Sequence, residues 1–130
     1  MQDFRKLSVW AKSHQLVLLI YEATAKVPDK KFPGLASQLR RAAASIPANI
    51  AEGCGHAGSK ELARFLGIAV ASSFELSYHL QLAADLNVLT KSDFARLDAR
   101  TEQVRRMLAS LRSKVRQKNE SREAIPTKGP

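Results

Sequence analysis

The chain has little cysteine, no long apolar run and no sign of a secretion signal. Cys54 is the single cysteine, so an internal disulfide is excluded, which suits a reducing compartment such as the cytoplasm. The longest apolar run, Leu16 to Tyr21, is far shorter than the roughly 20 residues that span a bilayer. The first residues lack the apolar segment of a secretory leader. We therefore expect a cytoplasmic protein without a membrane partner.

The sequence also lacks the patterns that hold metals or perform catalysis. A structural zinc site needs four ligands, and His14 and His79 fall on other predicted helices than Cys54 and His56. The string Gly53–Gly58 matches G-x-G-x-x-G, but it follows a predicted helix rather than a strand, so we interpret it as a turn. No Ser/His/Asp triad or carboxylate pair stands out. We expect no metal, no cofactor and no enzymatic activity.

Four amphipathic stretches account for most of the 130 residues, and none has the alternation of a strand. Ser8 is placed to cap the first helix, which the sequence extends to Val27 before Pro28. The second helix begins near Pro33, and Gly53 provides a left-handed stop.

Within the second helix, Pro47 predicts a kink, or a break and restart. The third helix starts after Ser59 as its cap and is terminated by Asn87, and Thr90 caps the fourth helix. The fourth helix carries a heptad seam, typical of helices packed at shallow angles: Phe94, Leu97, Thr101, Val104, Leu108, Leu111 and Val115.

Short connections between long helices make neighbours antiparallel. The predicted fold class is therefore all-α, an up-down-up-down antiparallel four-helix bundle. The bundle domain covers residues 1–117, and residues 118–130, which have no periodicity and two prolines, are interpreted as a disordered C-terminal tail.

The positive charge is concentrated near the C-terminus. The formal net charge is +9, and residues 91–130 contain eleven basic and five acidic residues. Such an excess favours an anionic partner, although a solvated helix face explains the charge equally well. Most aromatic residues fall in the inner stripes, so we expect no stacking platform for single strands. The candidate phosphate contacts are Arg40, Arg41, Arg105, Arg106, Arg112 and Arg116.

Helices one and two contain more apolar surface than one bundle core needs. The run from Leu16 to Tyr21 covers every direction around the first helix, and the second helix is rich in alanine. We interpret the excess as a contact between subunits; a broad-faced central helix in a monomer is the alternative. The candidate interface residues are Leu18, Leu19, Tyr21, Ala44, Ala48 and Asn49.

Several segments resemble the bacterial four-helix-bundle proteins associated with 23S ribosomal RNA intervening sequences. The most specific match is the string Ser-Ile-Pro-Ala-Asn-Ile-Ala-Glu-Gly; the matching segments are 4–10, 34–35, 38–43, 45–53, 65–69, 75–76, 82–83 and 86. The fourth helix matches only in pattern.

The resemblance implies a left-handed up-down bundle that forms ring-like homopentamers. It also implies a likeness to the accessory proteins of diversity-generating retroelements, which bind nucleic acid and a reverse transcriptase. The family commonly has an arginine shortly after Glu-Gly, where this chain has His56. That difference argues against phosphate binding at this turn.

Three functions follow from these patterns. The first is a non-enzymatic oligomeric protein that binds structured RNA through basic helix faces. The second is a homo-oligomeric scaffold or adaptor for another protein, in which the basic charge serves solubility. The third is an enzyme, which would need a polar pocket with perturbed titrating groups that the sequence does not show.

Overall fold

The computed structural model describes residues 2–124, with side chains through Ser121. A short 3₁₀ turn at Phe4–Lys6 precedes the helices. The helices are α1 (Ser8–Thr24), α2 (Leu35–Gly55), α3 (Ser59–Asp85) and α4 (Lys91–Ala124). No strand occurs within the described residues, and the predicted all-α fold with four helices is confirmed.

The helices surround one core in the order α1, α2, α3, α4. Each packs against the next, and α4 closes the bundle against α1, so α1 lies diagonally opposite α3 and α2 opposite α4. The connections at 25–34, 56–58 and 86–90 are short, and consecutive helices run antiparallel. The predicted up-down-up-down arrangement is confirmed.

Aliphatic side chains from all four helices fill the core. Full burial of each stabilises the fold by about 1.5–3 kcal/mol. The heptad seam of α4 lies in this core, where the buried Thr101 hydroxyl donates to the Leu97 carbonyl at 2.8 Å. The largest fully buried aliphatic residues are Leu16, Ile20, Leu39, Ile46, Ile50, Leu66, Leu76, Leu80, Leu97, Val104 and Leu108.

The α3–α4 connection has the predicted end signals. Asn87 adopts a left-handed φ of 58°, and the amide of Val88 donates to the Ala83 carbonyl at 2.9 Å. The Thr90 hydroxyl accepts from the amide of Asp93 at 3.0 Å and caps α4. Both predictions are confirmed.

The prediction that Ser59 caps α3 is wrong, because Ser59 is itself the first helical residue and Gly58, which precedes it, has no side chain to form a cap.

The ends of α1 differ from the prediction. Ser8 is itself the first helical residue, and the extended Leu7 precedes it without a side-chain cap, so the prediction that Ser8 caps α1 is wrong. The helix ends at Thr24 rather than at Val27. The Thr24 hydroxyl donates to the Ile20 carbonyl at 2.7 Å within the last turn.

The start of α2 is set by a glycine. Gly34, with a left-handed φ of 78°, precedes the first helical residue, Leu35, so Pro33 lies before the helix rather than in it. The helix then continues through Pro47 to Gly55 without a break. Of the two outcomes predicted for Pro47, the break and restart is therefore wrong.

Gly53 serves close packing and not termination. It lies inside α2, and a Cβ added to it would be 3.0 Å from Leu62 Cδ1 and 3.0 Å from Phe65 Cβ of α3. The prediction of a left-handed stop at Gly53 is wrong, because what the position requires is space for the neighbouring helix.

The end of α4 lies beyond the predicted domain boundary. The helix includes residues 118–124, past residue 117 where the bundle domain is predicted to end. Although the heptad seam stops at Val115, this stretch contains Lys, Glu, Arg and Ala, which favour helix on their own. The rest of the predicted tail, 125–130, lies outside the described residues.

We expect Gly53→Ala to lower the free energy of unfolding by about 1–3 kcal/mol, because the methyl group would crowd Leu62 Cδ1 and the Cβ of Phe65, which is attached directly to the backbone of α3. Urea denaturation measures the change. Gly55→Ala is the matched control, since a Cβ there meets nothing within 4 Å. A Gly53→Ala protein as stable as the Gly55→Ala protein would contradict the close-packing role.

Candidate nucleic-acid interface

Arg105 links α4 to α3. Its Nε donates to Ser73 Oγ at 3.0 Å, and its Nη2 donates to the Ser73 carbonyl at 3.0 Å and to Ser77 Oγ. Its guanidinium carbon lies 4.1 Å from the centre of the Phe74 ring. These contacts hold the side chain in one orientation and join two helices.

Arg112 makes a second link between the same helices. Its Nε donates to the Ala63 carbonyl at 3.3 Å. A Cβ at Gly67 would lie 3.0 Å from the Nε and Nη2 of Arg112. Because glycine has no side chain, the guanidinium is able to pack against α3 at this position. Arg112 is half-buried and keeps part of its surface in solvent.

The two arginines of α2 also contact other helices. Arg40 donates from Nε to Thr24 Oγ1 at 2.9 Å and lies over the Tyr21 ring, 4.8 Å from its centre. Arg41 is exposed and pairs with Glu75 of α3. The structure thus places both side chains in intramolecular contacts, away from the basic residues of α4.

Arg106 and Arg116 point to solvent from different sides of α4. The Arg106 side chain is 72% exposed, forms an ion pair with Glu102 at 3.7 Å and lies beside Leu7 at the start of α1. Arg116 is exposed next to Arg112, on the side that faces α3. The six candidate arginines therefore do not form one surface.

Basic side chains do converge between the start of α3 and the end of α4. Lys60 and Arg64 of α3 line a groove of about 460 Å³ together with Arg112 and Arg116 of α4. We call this the α3–α4 groove. Sequence reasoning missed Lys60 and Arg64, because the net charge of their segment is close to neutral and only the fold brings them to α4.

Two carboxylates also line the α3–α4 groove. Arg64 donates from Nε and Nη2 to the oxygens of Glu61 at 3.2–3.4 Å, and this hydrogen bonding lowers the pKa of Glu61. Glu120 lies at the other side. With four basic and two acidic side chains, the groove has an excess of two positive charges, which suits an anionic ligand.

The candidate oligomer interface is partly exposed. Leu18 is 57% exposed and Tyr21 48%, and Ala48 is exposed, whereas Leu19, Ala44 and Asn49 are half-buried. Tyr21 and Ala44 line a hollow of about 530 Å³ between α1 and α2.

The side chain of Asn49 makes contacts within its own chain. Its Nδ2 donates to the Ser45 carbonyl at 2.7 Å and to Ser45 Oγ at 3.0 Å, and Ser45 Oγ lies 2.7 Å from Ser72 Oγ of α3. These hydrogen bonds satisfy the side-chain amide of Asn49 within its own chain, so a contact with a second subunit is not needed to explain a polar residue at this position of α2.

The structure shows an apolar stripe on the outer side of α3 that the sequence analysis did not predict. Ile68, Phe74 and Tyr78 are exposed, and Ala71 lies between them. Their spacing of three and four residues in the sequence places them on one side of a helix, so this stripe could have been predicted from the sequence. Phe74 and Tyr78 are exceptions to the interpretation that most aromatic residues lie in the inner stripes, because they lie on the opposite side of the helix.

The cysteine and histidine singled out in the sequence occupy the α2–α3 turn region. Cys54 is buried in the last turn of α2, and burial, with a smaller contribution from Asp3, raises its pKa. The His56 ring stacks on the Phe65 ring with centres 5.2 Å apart.

Within the described residues, no group of three or more His, Cys, Asp or Glu side chains could hold a metal ion. In the same part of the chain, no helix is both long enough and apolar enough to pass through a bilayer.

Comparison with known proteins identifies the family. The sequence model described as 23S rRNA-intervening sequence protein matches residues 5–110, most of the chain. The chain belongs to this family. The resemblance stated from the motifs of α1 to α3 is confirmed, and the match includes much of α4, where the motifs show likeness in pattern only.

A solved structure of the same fold supports the architecture of this 23S rRNA-intervening sequence family member. The crystal structure of a protein of unknown function from the S23 ribosomal protein family of Bacteroides thetaiotaomicron has a TM-score of 0.72. The two chains are 23% identical, and the match covers 79% of this chain and 96% of the other. No curated protein matches the chain.

We expect Arg105→Lys to lower the free energy of unfolding by about 1–3 kcal/mol, because lysine cannot make the several bonds to Ser73 and Ser77. Chemical denaturation measures the loss. Arg106→Lys, on the same helix but exposed, should stay within about 0.5 kcal/mol of the wild type. Equal stability of the two variants would show that Arg105 does not hold the helices together.

Proposed function

We propose that this chain is a non-enzymatic, self-associating cytoplasmic bundle protein that binds structured RNA through the α3–α4 groove. The observation that carries the proposal is the convergence of Lys60, Arg64, Arg112 and Arg116 from two helices on one groove. The family's association with 23S rRNA intervening sequences supports RNA as the anionic partner.

The geometry suits phosphate binding without base recognition. Arg112 is held by the Ala63 carbonyl, so part of its donor set is fixed in place, whereas the exposed Arg116 is able to adjust to a phosphate. Contacts of this kind position a nucleic acid but do not read its sequence. Affinity then depends on salt, because each neutralised phosphate releases counterions.

Replacement of one groove arginine tests the proposal. We expect Arg116→Gln to reduce the salt dependence of RNA affinity. The magnitude of the slope of log K against log salt should fall by about 0.9 for each phosphate that the variant no longer neutralises. The measurement is fluorescence anisotropy of a short labelled RNA hairpin over a range of salt concentrations.

Arg106→Gln is the control for that experiment, because it removes the same charge from the other side of α4. Its effect on the slope should be much smaller. Equal effects of the two variants would disprove the groove as the binding site, and an unmodified protein that binds no RNA at moderate salt would disprove the function.

Self-association is proposed through the exposed residues of α1 and α2. Leu18 and Tyr21 leave large apolar surfaces in water, and Ala48 on the neighbouring helix permits close approach of a second chain. This surface lies on the side of the bundle away from the α3–α4 groove. The family resemblance supports five copies in a ring.

We expect light scattering to give the unmodified protein a mass near five times the 14.3 kDa of one chain. Leu18→Asp should shift the particle toward the single-chain mass, because a charge replaces an apolar contact. Leu86→Asp, at the exposed α3–α4 connection, is the control and should keep the assembly. A Leu18→Asp protein of unchanged mass would exclude this interface.

A second candidate function is an adaptor for another protein. A groove of about 470 Å³ between α1 and α4 is lined partly by apolar side chains, among them Leu7, Val9, Met107 and Leu111. Such a surface suits an amphipathic segment of a partner. A stoichiometric protein partner recovered after nuclease treatment supports this function over RNA binding.

A further inference from the structure

We propose that unpaired RNA nucleotides lie along the outer side of the α3–α4 pair, with bases stacked on Phe74 and Tyr78 and phosphates in the α3–α4 groove. The proposal rests on the proposed RNA-binding function and goes beyond it by naming unpaired nucleotides as the ligand.

Two aromatic rings stand in solvent one turn apart on α3. Phe74 is 58% exposed and Tyr78 64% exposed. Leaving such rings in water forgoes much of the stabilisation that burial of a large side chain provides. A flat ring accepts any base on its face, and stacking of this kind is the usual means by which proteins hold single strands without reading sequence.

Arg105 makes the aromatic pair part of a cationic surface. Its guanidinium lies 4.1 Å from the centre of the Phe74 ring and is fixed by hydrogen bonds to Ser73 and Ser77. A guanidinium held in one plane is also a surface on which bases stack. Because these bonds already order the side chain, binding a base costs little further conformational entropy.

The aromatic pair is continuous with the α3–α4 groove. Arg112 and Arg116 follow Arg105 on the same side of α4, so the path from Arg105 to Arg116 is about 17 Å long at 1.5 Å per residue. A hollow of about 330 Å³ lined by Val70, Arg112 and Arg116 lies along this path. The faces of bases are available to rings only where the strand is unpaired, which excludes a continuous duplex as the ligand here.

Charge favours RNA over a second copy of the chain on this surface. Ile68 and Ala71 extend the apolar stripe, and a helix from another subunit is the alternative occupant. A second copy has a formal net charge of +9, so its placement here would add positive charge beside the row from Arg105 to Arg116. A polyanion gains from that row, whereas a second basic chain is repelled by it.

The experiment compares an unstructured, A-rich labelled RNA oligonucleotide with the RNA hairpin. We expect Phe74→Ala and Tyr78→Ala each to weaken binding of the unstructured RNA about tenfold, with a much smaller effect on the hairpin stem. Phe74→Trp should retain the affinity that Phe74→Ala loses, because an indole also stacks on bases. The fluorescence of the indole at position 74 should be quenched when the unstructured RNA binds. Ile68→Ala is the control: it removes apolar area from the same stripe but no stacking ring, and affinity should be unchanged.

Two results would overturn the inference. One is wild-type affinity of the alanine variants for unstructured RNA; if the unmodified protein still binds the hairpin, the groove function stands and the stacking site alone fails. The other is a fall in particle mass for Ile68→Ala and Phe74→Ala together with the loss of affinity, which assigns the stripe to subunit contact. Failure of the unmodified protein to bind either RNA is instead the failure of the proposed function.

Discussion

The close approach of α3 to its two neighbours depends on positions that have no side chain. At Gly53, a Cβ would meet Leu62 and Phe65 of α3. At Gly67, it would meet the guanidinium of Arg112. Because both positions are empty, α3 packs against α2 on one side and receives an arginine of α4 on the other. The groove between α3 and α4 has its shape because Arg112 lies flat in this space.

Three arginines of this protein join helices, and Arg105 and Arg112 among them also keep part of their surface in solvent. Arg40, Arg105 and Arg112 donate to hydroxyl or carbonyl oxygens of another helix. A planar guanidinium with several donors suits such sites, and lysine does not replace it. Net charge counts all basic residues equally, whereas the structure shows that these three arginines also serve packing between helices.

Much of the fold is predictable from the sequence because helices leave strong local patterns. The seam of α4, the left-handed Asn87 and the cap at Thr90 each depend on a few neighbouring residues, and all three are present in the structure. The prediction for Gly53 fails for the same reason: its role depends on Leu62 and Phe65, which lie on the next helix. A local pattern contains no information about such an approach.

The candidate site is less predictable than the fold. Charge alone points to the arginines, but their partners, such as Ser73 and Ser77 for Arg105, follow only from the register of α3 against α4. Lys60 and Arg64 lie in a segment with little net charge, and the fold brings them to Arg112 and Arg116. The exposure of Phe74 is also difficult to predict from the sequence, because an aromatic residue in a helix is more often buried.

The helix order places the α1–α2 surface and the α3–α4 groove on opposite sides of the bundle. Occupying one of them therefore leaves the other open. One groove with two excess positive charges would hold RNA only weakly, but copies joined through α1 and α2 would present several such grooves at a high local concentration. Avidity would then distinguish a long RNA that reaches two grooves from a short one that reaches one, without any contact that reads sequence.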